Sequence, residues 1–259
     1  MSSNPAITSE TILDVRGLTM KYGRRIIQQD LNFSIIRGQV FVIMGGSGCG
    51  KSTLLRHLIG LQKPAAGEIW FSGENLWSLS QDRRDDLMRK IGVLYQRGGL
   101  WSSMTLAENI ALPLREYTCY SATEIRELCE LKLSLVGLSG FAEYYPSEIS
   151  GGMQKRAGLA RAIALDPKVV FFDEPSAGLD PVNASRLDDL ILELRESLGA
   201  TVVVVTHELA SIFAIADEAI FLDTESRTII ARGNPLELKA KSENRKVREF
   251  LTRGGKNAE

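Results

Sequence analysis

The fold of this chain is decided by one stretch, Gly45-Gly46-Ser47-Gly48-Cys49-Gly50-Lys51-Ser52-Thr53. The apolar run 39–44 before it predicts a buried strand, and the run 54–60 after it predicts the first turns of a helix. Glycines let backbone N–H groups converge on an anion, and a helix N-terminus adds partial positive charge. The stretch matches the pattern G-x-x-x-x-G-K-[ST], so the sequence predicts a nucleoside triphosphate site.

Three side chains of this loop have a predicted chemistry. Lys51 can reach the β- and γ-phosphates as a point charge, and the Ser52 hydroxyl is placed to ligate Mg²⁺. Cys49 has two interpretations: a thiol that senses oxidation or alkylation, or a small residue that fills its position. Together with Cys119 and Cys129 it suits a reducing compartment and suggests no disulfide framework.

Composition narrows the class of protein. The chain has 259 residues, of which 44% are hydrophobic and 24% charged, as expected for a folded α/β protein with a full core. The net charge of −1 gives no basic field for nucleic acid. Residues 1–10 are polar and do not form a signal peptide, and no stretch approaches the length of a membrane span. We therefore expect a cytosolic chain, or one held on a membrane by a partner.

Two carboxylates and a histidine follow apolar strands. Asp173 and Glu174 end the apolar run 169–172, and His207 ends the run 201–206. Ligands of doubly wound sheets bind at the carboxyl ends of such strands. Asp173 is then a partner of Mg²⁺ near Ser52, and Glu174 the base or orienter of an attacking water. The alternative for the two carboxylates is a solvated acidic turn. His207 either contacts the γ-phosphate or stands at this position incidentally.

Weaker signals occur elsewhere. Tyr22 precedes the turn at Gly23 and either packs against its neighbours or stacks on a base. His57, in the helix after the loop, is predicted to be structural. A serine followed by two glycines opens a helix and forms a second anion-binding N-terminus, although such a triplet is usually only a loop. That segment is Ser150-Gly151-Gly152-Met153-Gln154.

Hydrophobic periodicity divides the chain into a core and an insertion. The core is expected at 1–96 and 150–240, with antiparallel strands in 12–37 and 67–73. A helical subdomain is expected at 97–149, where Thr105 caps a helix through Glu108, and Ser121 and Glu124 form a capping box. Further helices are expected from Ser150 through Leu165 and over 183–198. Residues 234–259 are expected to be helical and then to fray, with 241–259 as a short C-terminal helix and tail.

These residues together resemble the ATPase subunit of ABC transporters, over nearly the whole chain. The resemblance implies a P-loop NTPase (RecA-like) core, an antiparallel β subdomain and an inserted helical subdomain. Gln96 matches the Q-loop, which implies a contact with nucleotide and Mg²⁺. Tyr22 matches the aromatic residue that stacks on adenine. Residues 150–154 match the signature motif, and residues 169–174 match the Walker B strand. Asp180 matches the aspartate of the D-loop, and His207 matches the switch histidine.

The resemblance also implies an assembly. Two chains form a head-to-tail homodimer, and two ATP molecules lie between the phosphate loop of one chain and the signature of the other. Glu174, His207 and Lys51 are the implied catalytic residues. Opening and closing of the dimer drives an integral membrane permease, which residues 97–149 contact.

One branch of the family fits best. Residues 97–101, 105–116 and 247–251, together with Met153, Lys155 and Arg156, resemble the Mla/Mce-type phospholipid transport ATPases. That branch implies transport of phospholipid between the inner and outer membranes of a Gram-negative bacterium, a small STAS-domain subunit, a periplasmic lipid-binding subunit, and attachment to the cytoplasmic face of the inner membrane. Two alternatives remain: the ATPase of an importer for polar solutes, and a non-transport ABC ATPase acting on DNA or ribosomes.

Overall fold

The computed structural model describes residues 10–252. The predictions for the first ten residues and for the final tail therefore fall largely outside the described residues. The chain divides into two compact units. The first contains the chain up to Met88 and from Ala216 onward, and the second is Arg89–Ile215. Within residues 10–252, no helix is both long enough and apolar enough to cross a membrane.

The first unit contains an antiparallel sheet in the order β2-β1-β4-β5. The long hairpin predicted around Gly23 is present, with Leu13 opposite Ile35 on one side and Phe71 on the other. These three facing side chains, Leu13, Ile35 and Phe71, are all buried. The strands are β1 (Thr11–Tyr22), β2 (Arg25–Ile36), β4 (Ala66–Phe71) and β5 (Glu74–Asn75).

The same unit contains the strand before the phosphate loop, β3 (Val40–Gly45), in which all six residues are buried. It pairs in parallel with β9 (Glu218–Leu222), which pairs antiparallel with β10 (Ile229–Gly233). A strand buried on both faces carries a continuous apolar run, as β3 does. The helices of this unit are α1 (Lys51–Leu58), α2 (Gln81–Met88), α8 (Pro235–Lys241) and α9 (Arg245–Thr252).

The second unit contains three parallel strands in the order β8-β7-β6. They are β6 (Ile91–Leu94), β7 (Val169–Asp173) and β8 (Thr201–Val205). The connections to and from them are helical, which gives this unit its α/β character. The helices are α3 (Leu106–Tyr117), α4 (Ala122–Leu135), α5 (Gly151–Ala162), α6 (Pro181–Leu198) and α7 (Leu209–Ile215).

The helix caps predicted from sequence are confirmed. Thr105 caps α3 and Ser121 caps α4, each with a reciprocal bond to the glutamate three residues later. Residues 97–149 contain α3 and α4, as the helical prediction requires. The domain boundaries themselves stay a prediction.

Three helix boundaries differ from the sequence prediction. Helix α5 ends at Ala162 rather than Leu165, because the chain turns before Pro167 through Asp166, which has a φ of 48°. Helix α6 begins at Pro181, since Asp180 caps it. The helical C-terminal segment is two helices rather than one, because Ser242 at the end of α8 is extended.

Candidate active site

In the first unit, the phosphate loop joins β3 to α1 as predicted. Gly50 is the N-cap of α1, with a φ of 98° and no side-chain hydrogen bond at the cap. The first turn of α1 contains no acidic residue. The N–H groups that open a helix need an acceptor, and an anion provides one. This helix start therefore has the chemistry of a phosphate site.

Two glycines of the loop are required by space as well as by backbone angle. A Cβ on Gly45, whose φ is 152°, would lie 2.5 Å from the Leu222 carbonyl oxygen. A Cβ on Gly50 would lie 2.6 Å from Cγ2 of Ile27. The loop thus runs directly against the strands beside it, and any side chain at either position would displace its backbone.

Lys51 lies over the loop. Its ammonium donates to the carbonyl oxygens of Gly45 and Gly46 at 3.0 and 3.2 Å. Neutral carbonyl acceptors hold the side chain in place while leaving its charge uncompensated, as a phosphate-binding lysine requires.

The structure separates the two interpretations of Cys49. The residue is 1% exposed, and burial raises the pKa of its thiol, although Lys51 acts in the opposite direction. A thiol with a raised pKa stays protonated at neutral pH and reacts slowly. This geometry favours the small residue that fills the loop.

Gln28, which was not among the residues predicted from sequence, contacts the backbone of the phosphate loop. Gln28 is fully buried, and its amide nitrogen donates to Cys49 O at 2.7 Å and Asp223 O at 2.9 Å. It therefore ties the phosphate loop to the end of β9. No sequence signal pointed to it, since its partners are 21 and 195 residues away.

The other two candidates of this unit keep their predicted character. His57 is 1% exposed, its Nδ1 lies 2.6 Å from Gln62 O, and burial lowers its pKa, so it is structural. Tyr22 is 46% exposed at the end of β1, and its hydroxyl accepts from Arg56 at 3.4 Å. Its stacking role stays a prediction.

In the second unit, Glu174 and His207 meet. Nδ1 of His207 lies 2.9 Å from Oε1 of Glu174. The Glu174 side chain is 13% exposed and that of His207 is 54% exposed. Among residues 10–252, the second carboxylate oxygen of Glu174 has no hydrogen-bond partner. A carboxylate oxygen without a partner in the protein can accept a hydrogen bond from a group outside the chain, such as a water.

The backbone of Glu174 adopts an unusual conformation. Its φ is 49°, in the left-handed region that residues with a Cβ rarely adopt. Its N–H donates to Val205 O at 2.8 Å. Such a conformation costs about 1–3 kcal/mol and persists only where neighbouring contacts fix it.

Lys155 supplies one of those contacts. It is 6% exposed, and its ammonium donates to the carbonyl oxygens of Pro175 at 2.6 Å and Ala177 at 2.5 Å. Burial lowers its pKa, and the nearby charge of Glu174 acts against that decrease. From the sequence, Lys155 was only a mark of resemblance, because the carbonyl oxygens that it contacts belong to residues 20 and 22 positions away.

The serine-glycine-glycine segment begins α5 as predicted. Ser150 is the N-cap, and its hydroxyl accepts from Met153 N at 3.3 Å. The first turn carries no acidic residue, and Gly151 is exposed. The Gln154 amide instead donates to Pro146 O at 2.8 Å. The contact of this segment with a second chain's nucleotide stays a prediction.

The remaining candidates of this unit are Gln96, Asp173 and Asp180. Gln96 is exposed in the turn after β6, and Asp173 is the last residue of β7. Asp180 caps α6, accepting from the backbone of Asn183 and Val182 at 3.0 and 3.1 Å. These bonds, the Asn183 bond first, lower its pKa. Its structural role is therefore that of a helix cap.

The strand, phosphate loop and helix, together with the Glu174–His207 pair, define a P-loop ATPase. Residues 28–177 match the family described as ABC transporter. The chain belongs to the ABC transporter family, and ATP binding and ATP hydrolysis are the properties of that class.

Three known proteins illustrate the relationship. The chain is 42% identical over 240 residues to the intermembrane phospholipid transport system ATP-binding protein MlaF of Escherichia coli (strain K12), covering 93% of this chain and 88% of that protein. It is 41% identical over 239 residues to the probable ribonucleotide transport ATP-binding protein mkl of Mycobacterium leprae, covering 92% and 68%. A dimeric ATP-binding cassette, solved in a post-hydrolysis state with ADP and Pi, superposes with a TM-score of 0.78 and 31% identity, covering 86% and 98%.

Proposed function

We propose that this chain is the ATP-hydrolysing subunit of an ABC transporter that moves phospholipid between the inner and outer membranes of a Gram-negative bacterium and maintains the lipid asymmetry of the outer membrane. The ATPase half of the proposal is carried by one observation, the paired Glu174 and His207 with an unpartnered carboxylate oxygen. The phospholipid half is supported by the 42% identity to a protein named for phospholipid transport.

The nucleotide-binding residues follow from the loop. Backbone N–H groups at the start of α1 hold the phosphates, Lys51 adds its charge, and Tyr22 stacks on adenine. The full set proposed for this role is Tyr22, Gly45, Gly46, Ser47, Gly48, Cys49, Gly50, Lys51, Ser52, Thr53 and Gln96.

Ser52, Gln96 and Asp173 would hold Mg²⁺. Residues 10–252 contain no group of three or more His, Cys, Asp or Glu side chains that could hold a metal by themselves. Mg²⁺ commonly takes one or two protein ligands and completes its shell with phosphate and water, so an alcohol, an amide and a carboxylate suit it. The bound ion would offset the charge that develops on the phosphates.

Hydrolysis depends on the pair in the second unit. Oε2 of Glu174 accepts a hydrogen bond from the attacking water and orients it. His207 contacts the opposite oxygen through Nδ1. Its side chain is 54% exposed, and Nε2, which lies 3.8 Å from Oε1 of Glu208, is the atom that would contact the γ-phosphate. Catalysis here is positioning and charge stabilisation rather than covalent chemistry.

A homodimer would complete each site. The start of α5, with Ser150, Gly151, Gly152, Met153 and Gln154, would contact ATP held by the partner chain, and the turn at Asp180 would lie at the same interface. The first turn of α5 carries no acidic residue that would repel an anion, which supports binding of a phosphate there. The similarity to a dimeric cassette bound to ADP and Pi also supports it.

The remaining partners are an integral membrane permease contacted by residues 97–149, a small STAS-domain subunit and a periplasmic lipid-binding subunit. The chain would be held by the permease on the cytoplasmic face of the inner membrane. The alternative is the ATPase subunit of an importer for a polar solute, and the 42% identity to a protein named for phospholipid transport favours the first function over it.

One experiment separates these functions. The tagged chain is purified from detergent-solubilised native membranes, and proteins and extracted lipids are identified by mass spectrometry. Recovery of a multi-spanning permease with a single-spanning lipid-binding subunit and phospholipid supports the proposal. Recovery of a solute-binding protein would indicate that the transported substrate is a polar solute rather than phospholipid. Salt-sensitive recovery of nucleic acid or ribosomes would favour a non-transport ATPase.

A further inference from the structure

The turn after Glu174 is held from two sides. On one side, the N–H of Glu174 donates to Val205 O in the neighbouring strand β8. On the other, Lys155 of α5 donates to the carbonyl oxygens that flank Ser176. Within the turn, Ala177 N–H donates to Glu174 O at 3.2 Å and Leu179 N–H to Ser176 O at 3.0 Å. The side chain of Lys155 is thus the link from α5 to the segment that carries the carboxylate.

We propose that Lys155 is a positioning residue for ATP hydrolysis, which fixes the turn after Glu174 from the helix that begins at the signature segment. The inference rests on the proposed role of Glu174 in hydrolysis. Lys155 itself does not touch the reacting groups, so it acts only through the backbone it holds.

The chemistry of the link favours a lysine. Hydrogen bonds from an ammonium are stronger than bonds between neutral groups, and two carbonyl acceptors on one nitrogen fix both ends of a three-residue turn. The side chain is buried, which disfavours its charge, yet the nearby Glu174 carboxylate favours it. Removing the ammonium would leave buried carbonyl oxygens unpaired and release a left-handed residue from a contact that constrains it.

The test compares three variants of the full-length chain, purified with the membrane proteins that accompany it. Lys155→Met removes the donors at similar length, and Lys155→Arg keeps donors. Lys132→Met is the matched control, because Lys132 is a lysine of the same unit that pairs with Asp166 at 2.5 Å. Its side chain is only 3% exposed, so it lies outside any surface of residues 97–149 that a permease would contact. Each variant is measured for kcat, for the KM and Kd of ATP, for Tm, and for hydrogen exchange at the Ala177 and Leu179 amides.

We expect Lys155→Met to lower kcat by about 100-fold, since small displacements of a positioned group have effects of that size. The Kd of ATP should change by no more than about twofold, because the phosphate loop is untouched. Exchange at the two amides should rise by about tenfold, as local protection is lost. Lys155→Arg should recover most of kcat, and Lys132→Met should lower Tm without changing kcat or exchange at this turn.

The inference is overturned if Lys155→Met leaves amide exchange at this turn unchanged, or if Lys132→Met increases it equally. It is also overturned if kcat falls only in proportion to Tm. The exchange measurement needs no turnover, so it remains informative if the wild-type chain does not hydrolyse ATP. That last result would contradict the proposed function and with it a role in hydrolysis, while faster exchange in Lys155→Met would still show that Lys155 holds the turn.

Discussion

Nδ1 of His207 lies 2.9 Å from Oε1 of Glu174, although 33 positions separate the two residues in the chain. Glu174 follows the end of β7 and His207 follows the end of β8, and these two strands pair in parallel. Parallel neighbours bring their carboxyl ends to the same edge of a sheet, so residues just beyond those ends meet. One carboxylate oxygen is thereby fixed and the other is left to act on a ligand.

Glu174→Gln should abolish turnover and leave an ATP-bound dimer. The amide keeps the size of the side chain but loses the charge and the basicity that orient and activate a water. We expect kcat to fall by at least about 100-fold. Steady-state ATPase assays and light scattering with ATP measure both effects. Glu193→Gln, at an exposed position on α6, is the control. Normal turnover in Glu174→Gln would remove Glu174 from its role.

His207→Ala should lower kcat while leaving ATP affinity nearly unchanged. The substitution removes the group that holds Oε1 of Glu174 and the proposed γ-phosphate contact, both of which matter after ATP has bound. A decrease of about 100-fold in kcat is expected. Turnover and equilibrium binding of ATP are measured in parallel, and an equal loss of affinity would indicate that His207 acts in ground-state binding instead.

Lys51→Ala should weaken ATP binding itself. Its ammonium is held over the loop by two carbonyl oxygens, so its charge is placed where phosphate enters. Losing a charge-assisted contact of about 1.5–3 kcal/mol would raise the Kd of ATP by roughly 10- to 100-fold. Titration calorimetry measures it, with the exposed Lys241→Ala as the control. Unaltered affinity would argue against the phosphate-loop assignment.

Asp188 should give the stability of the protein a pH dependence. Burial raises the pKa of its carboxyl to about 6, against the opposing hydrogen bond with Ser211. An unfolded aspartic acid titrates near pH 4, so between about pH 4 and 6 the folded chain keeps a proton that the unfolded chain has released. The free energy of unfolding therefore falls as pH rises through this window and reaches its lower level above pH 6.

The side chain in the variant Asp188→Asn cannot ionise. The variant should therefore lack this decrease in the free energy of unfolding, which is about 1–3 kcal/mol between pH 4 and pH 7.5 in the wild type. Urea unfolding at both pH values measures it for the wild type and the variant. Asp189→Asn, at the exposed neighbouring position, should keep most of the wild-type dependence, because the charge of Asp189 is the smallest of the causes that shift the pKa of Asp188. Equal pH dependence in wild type and Asp188→Asn would contradict the prediction.

The elements that could be predicted are those fixed by neighbours in sequence. The strand β3, the loop and α1 follow from an apolar run and a glycine pattern, and the caps at Thr105 and Ser121 need only a partner three residues away. The break between α8 and α9 was missed, because Ser242 carries no strong local signal and both helices pack on the rest of their unit.

The sequence by itself determined the secondary structure around the phosphate loop and the identity of the groups that carry charge there. These features depend on short-range hydrogen bonds and on side-chain periodicity, and both involve residues that are close in sequence. Only the tertiary structure decided the contacts of Gln28 and Lys155 and the left-handed turn at Glu174. Each of these depends on backbone groups brought close by strand pairing and helix packing, which no local pattern records.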